Sequence, residues 1–176
     1  MKGQFWSFDI IFAMVIFVFA VVILTFVWYN VSNQLSLSSG SGIEGLQYQA
    51  QSLGDTLLSA VYPASWPAFV NISNTDTWVN FTAGIGTGNG NRISTQKMME
   101  LVAMSNYNYE ATKSVLGVGY DYYIKITGNG LGIGIGLNPF NNRAASIQVV
   151  TKPVVIGNQT AQMQVMVWTN TTFGIG

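Results

Sequence analysis

Five carboxylates, Asp55, Asp76, Glu100, Glu110 and Asp121, are the acidic side chains beyond residue 50, of the type that supports acid–base or metal chemistry. Two suitably placed carboxylates are sufficient for glycoside cleavage, and a larger set can hold a hard cation. These five are scattered along the chain, and no short spacing pairs them, so they read as solvated surface. The chain has no His, which removes the commonest general base and metal ligand. It has no Cys, so a thiolate nucleophile, a disulfide and a Cys zinc site are excluded. Gly84-Ile85-Gly86-Thr87-Gly88-Asn89-Gly90 has glycines near phosphate-loop spacing, but it ends in Asn91-Arg92 where such a loop needs Gly-Lys-Ser/Thr. No βαβ pattern surrounds it, so a dinucleotide fingerprint does not fit either. This segment reads as a plain loop, and Gly128 to Gly136 likewise carries no phosphate-binding signal. Seven basic and seven acidic residues balance, with no run of Lys or Arg to track a nucleic-acid backbone. The residues predict no enzyme, no cofactor and no metal.

The element that organises the chain is instead an apolar run. Ile10 to Tyr29 reads IIFAMVIFVFAVVILTFVWY, without charge, Gly or Pro. As a helix at ~1.5 Å per residue it spans ~30 Å, the thickness of a bilayer's hydrocarbon core. A chain crossing lipid must satisfy its own backbone, which makes the run helical. Trp6 lies before it, and Trp28 and Tyr29 close it, as aromatic rings do at membrane interfaces. A secretory signal would have a shorter apolar region followed by a small-residue cleavage site. Here Asn30-Val31-Ser32-Asn33-Gln34 follows, so the helix is expected to stay with the mature protein.

Lys2-Gly3-Gln4 directly before such a helix resembles the class III signal of archaeal type IV pilin-like proteins. Phe8-Asp9-Ile10-Ile11-Phe12-Ala13 is similar to that family's acidic-then-apolar opening. The resemblance implies that a prepilin peptidase cuts after Gly3 on the cytoplasmic side. Lys2 would be the basic residue and Gln4 the new N-terminus. It also implies that the retained helix leaves the membrane for the core of a filament, where Asp9 pairs with the amine of an adjacent copy. Asp9 would be the sixth residue of the mature chain, one later than in many members.

After residue 42 the composition suits one domain near the common size. Ile43, Leu46, Ala50, Leu53, Leu57 and Val61 recur at spacings of three and four and predict an amphipathic helix, with Gly45 and Gly54 against it at ~1 kcal/mol each. Tyr62-Pro63-Ala64-Ser65-Trp66-Pro67 ends it. This Tyr-Pro-x-x-Trp element also resembles the pilin-like family, and Trp66 either packs on its own helix or meets a neighbouring subunit. Phe69 to Phe81 holds short alternating pieces that suggest one or two strands. Ile93 to Ser105 reads as a helix capped by Ser94 or Thr95, and Asn108 to Leu116 as a second one capped by Asn108 and closed by Gly117. Tyr120 to Thr127 alternates as a half-buried strand, and Leu131 to Leu137 as a strand with one bare face. Ser146 to Ile156 and Gln162 to Thr169 form a candidate hairpin.

Only 8% of residues are charged, against a typical ~25%. A surface of Asn, Thr, Ser, Gln and Gly therefore needs another source of solubility: subunit packing, glycans or an acidic exterior. Asn-x-Ser/Thr occurs at Asn30, Asn71, Asn80, Asn158 and Asn170, roughly twice the number that chance would place in this composition.

The expected fold is α+β: a long N-terminal transmembrane or filament-core helix, then an extracellular head with short helices and an antiparallel sheet. The expected divisions are a leader at 1–3, the assembly helix and linker at 4–42, and the head at 43–176. The resemblance implies a structural subunit of a surface filament, partnered by copies of itself or related pilins, by the peptidase, and by the membrane before assembly. Adhesion, motility and DNA uptake stay open as its purpose. The alternative is a monomeric membrane-anchored surface protein whose head binds a ligand or a surface; an exported enzyme is the third reading.

Overall fold

In the computed structural model the chain forms two compact units, Met1–Ser39 and Gly40–Gly176. The structure describes residues 5–39, 42–59, 61–128 and 130–171. The described residues of the first unit form a single helix, α1, Phe5–Ser39.

The second unit is α+β. It begins with α2, Ile43–Leu58, which buries Leu46, Ala50, Leu53 and Leu57 along one stripe. Val61 is buried beyond the helix end, whereas Ile43, in the first turn, is half-exposed. Turns of 3-10 helix follow at Trp66–Ala68 and Thr75–Thr77. Then come β1 (Arg92–Ile93), α3 (Thr95–Tyr107), α4 (Tyr109–Val115), β2 (Asp121–Gly128), β3 (Leu131–Gly136), β4 (Ser146–Ile156) and β5 (Gln159–Thr169). Ser94 and Asn108 cap α3 and α4, accepting from the N–H groups of Lys97 and Ala111. This is the local chemistry that makes Ser and Asn good helix starts.

The strands form one sheet in the order β1-β4-β5-β2-β3. β2 pairs antiparallel with β3, Gly128 opposite Leu131, and a two-residue turn closes the β4–β5 hairpin, with Ile156 paired to Gln159. The alternation in β2 does what its period implies: Tyr122, Ile124 and Ile126 are fully buried, and Lys125 faces solvent. Helix α2 lies against β4 and β5, and α3 against β3. All buried hydrophobic side chains among the described residues fall between Leu46 and Trp168.

Two expectations are corrected. The sheet is mixed, because β1 runs parallel to β4, with Arg92 opposite Val155. A parallel partner needs a long crossover, and here α3, α4, β2 and β3 intervene. A two-residue strand leaves no periodicity to read. Residues 69–81 form no strand. The Asn71 side chain accepts from Ser73 N–H and that of Asn74 from Asp76 N–H, both at 3.0 Å. Such local bonds compete with a ladder and fold the segment into turns.

Candidate functional site

Helix α1 is the first candidate. Its segment Ile10–Trp28 has a mean hydropathy of 3.3, and none of it is buried. Phe17 and Leu24 lie on one face and Phe26 on the opposite one, and each is about two-thirds exposed. The one hydroxyl within Ile10–Trp28, on Thr25, donates to Val21 O at 2.8 Å, so it is satisfied inside the helix. The segment is long and apolar enough to cross a membrane. Lys2, Gly3 and Gln4 lie outside the described residues. Asp9 falls at the fifth residue of α1, with its side chain outside the description, and Asn30 is within the same helix.

The sequon asparagines of the second unit lie in loops, and all four are exposed. Asn71 is held by its own turn: its carbonyl also accepts from Trp78 Nε1 at 2.9 Å. Asn80 has φ 61, the left-handed region that Asn tolerates better than most residues. Asn158 occupies the β4–β5 turn beside Gly157, whose φ is 60. Asn170 follows β5 directly.

Asp55 and Asp121 are each paired with a lysine. Asp55 on α2 meets Lys152 Nζ on β4 at 2.6 Å. Asp121 accepts from Lys113 Nζ at 3.1 Å and from the Tyr109 hydroxyl at 3.0 Å. Tyr109 Oη in turn accepts from Tyr122 N–H, and the two rings stack at 5.2 Å. Tyr122 Oη donates to Ser105 Oγ at 3.3 Å. Burial pushes Tyr122 up to about 12, partly offset by the Ser105 hydrogen bond. Burial first, and then the Asp121 charge, push Tyr109 higher still. Phenols held this firmly neutral are poor proton acceptors near neutral pH. The cluster fastens α4 to β2. Among the described residues no three His, Cys, Asp or Glu side chains gather as a metal site.

The glycine-rich loop is a packing device. Ile85 and Gly86 both donate N–H to Leu57 O at 2.8 Å, which satisfies the end of α2. A Cβ on Gly86 would collide with the Leu58 carbonyl, and one on Gly84 with Val61. Lys97 Nζ donates to Gly86 O at 3.1 Å. Gly86 is therefore where backbone meets backbone. Trp66 is fully buried, donates Nε1–H to Gly84 O at 2.9 Å and stacks on Phe81 at 5.3 Å. It is a core residue, and the subunit-contact reading is overturned.

An open hollow of about 460 Å³ is lined by Thr75, Trp78, Asn80, Phe81, Ala111, Ser114 and Val115. It offers no ionisable side chain. The tyrosine cluster escaped the sequence reading because Tyr109 and Tyr122 belong to different periodic elements. No protein-family model, curated protein or solved structure matches the chain.

Proposed function

We propose that this chain is a structural subunit of an archaeal type IV pilus-like surface filament, its head outside and its N-terminal helix first in the membrane and then in the filament core. The observation that carries this reading is α1, whose apolar segment Ile10–Trp28 is bare on every face and precedes a head with its own core. A helix apolar all round can exchange lipid for neighbouring copies with little change in solvation, leaving packing contacts to favour assembly. Lys2-Gly3-Gln4, followed by Asp9 and the apolar run, supports processing after Gly3. N-terminal sequencing of the membrane and sheared-filament fractions tests the reading. A mature chain beginning at Gln4 and recovered in sheared filaments is expected. A chain starting at Met1, released only by detergent and only as a monomer, would replace it with the membrane-anchored surface protein.

A further inference from the structure

The two open edges of the sheet are not equally protected. Backbone groups of successive residues in a strand point to opposite edges. On β4, Val155 N–H bonds outward to Asn91 O at 2.9 Å, so the odd-numbered residues face away from β5. Pro153 falls in that set and has no N–H to offer, and β1 covers the end of the strand. That edge is blunted by the usual devices.

Strand β3 has none of them. Leu137 N–H bonds to Tyr122 O at 3.0 Å, so the odd residues of β3 face β2 and the amides of Gly132 and Gly134 face outward. Both glycines are exposed, and among the described residues no group bonds to those outward amides. The strand carries no charge, no Pro and no bulge. On its core face, Ile135 is buried but Leu131 and Ile133 are only half-buried. The apolar layer therefore stops short at this edge, where one further strand would extend it.

From this the geometry points to the edge of β3 as a strand-addition site, filled by residues 172–176 of a second copy of this chain. That segment contains Phe173-Gly174-Ile175-Gly176, the same alternation as Ile133-Gly134-Ile135-Gly136. Laid alongside β3, it would put Phe173 and Ile175 on the apolar face and bare glycines on the other. Main-chain pairing supplies attraction in such additions, and alternate side chains supply the match. Residues 172–176 of the same copy cannot fill its own edge. Thr171 stays at the end of β5, its N–H held by Thr169 Oγ1 at 3.2 Å. From there the path crosses β2 and β3 to reach the outer side, ~14 Å at ~4.8 Å per strand. Five residues span at most ~17 Å, leaving about one to pair. A donor segment on one copy and an acceptor edge on the next make a head-to-tail contact, which propagates where it does not close. The contact stands whether or not the filament reading holds.

The absence of cysteine makes the test direct. The full-length chain in detergent micelles is prepared as Gly132→Cys and, separately, as Gly174→Cys. Position 132 has open space for a side chain. Mixing the two under mild oxidation is expected to give a mixed disulfide dimer. Adding Ile175→Asp to the Gly174→Cys copy should abolish it. Three results would overturn the proposal: no mixed dimer, a dimer of Gly132→Cys with itself as the dominant product, or, in a chain carrying both Gly132→Cys and Gly174→Cys, an intramolecular disulfide without any dimer. Unchanged melting of Gly132→Lys, together with loss of association in that variant, is the expected control for an intact fold.

Discussion

Lys152 lies across Gly54: a Cβ on Gly54 would sit 2.8 Å from Lys152 Cε, on the stem that carries the Lys152 ammonium to Asp55. A glycine in mid-helix costs α2 ~1 kcal/mol relative to Ala, and this contact is what that cost provides. The head, residues 43–176, contains all the buried hydrophobic side chains among the described residues and is expected to melt cooperatively as a fragment. In it, Gly54→Ala should change stability little, because the helix gain is offset by displacing Lys152. In a Lys152→Ala background the same substitution should stabilise by about 1 kcal/mol. Denaturant unfolding of the four variants checks this, and equal effects in both backgrounds would refute the coupling.

Gly86→Ala is expected to destabilise the head by about 1–3 kcal/mol, because the added methyl meets the Leu58 backbone, which cannot swing aside. Gly90→Ala meets open space and bears only the strain of its φ of 61, so it should cost less. Nucleotide should not shift the melting of either variant. A nucleotide-dependent shift in the wild type would revive the phosphate-loop reading.

Alkaline stability should report the tyrosine cluster. Tyr122 is an acid whose folded pKa is raised, from 10.0 to about 12. The stability it contributes is full below pH 10 and is lost as pH rises through 12. A rise of that size corresponds to roughly 3 kcal/mol. Tyr122→Phe should flatten the loss between pH 10 and 12. Unfolding curves across that window, with phenolate absorbance, are the measurement. An unchanged slope in the variant would assign the loss to other groups.

Exposure of Asn71, Asn80 and Asn158 on a head short of charge predicts a glycan on at least one of them in the native host. Mass spectrometry of the native protein decides it. If all three are bare, an acid-exposed exterior becomes the better account, since carboxylates protonated at low pH contribute no charge.

Asp9→Asn tests the assembly role of the only acidic residue before Glu44. A carboxylate near the bilayer interface costs little, but in a helix core it needs a partner. The variant should insert and be processed like the wild type yet yield fewer filaments by electron microscopy. Equal filament numbers would leave Asp9 as an interface residue.

The sequence by itself determined the features that depend on local period and composition. The uncharged run Ile10 to Tyr29 specifies a helix apolar on every face. The caps at Ser94 and Asn108 start α3 and α4, and the alternation of Tyr122, Ile124 and Ile126 sets which face of β2 is buried. Each follows from interactions within a few residues of the chain. Only the tertiary structure decided what the glycines of the 84–90 loop meet, that Trp66 is core, that a two-residue β1 joins the sheet in parallel, and that β3 is left with an open edge. Those facts depend on contacts between residues far apart in sequence, such as Gly86 with Leu58 and Trp66 with Gly84, and no local pattern encodes a neighbour brought in by the fold.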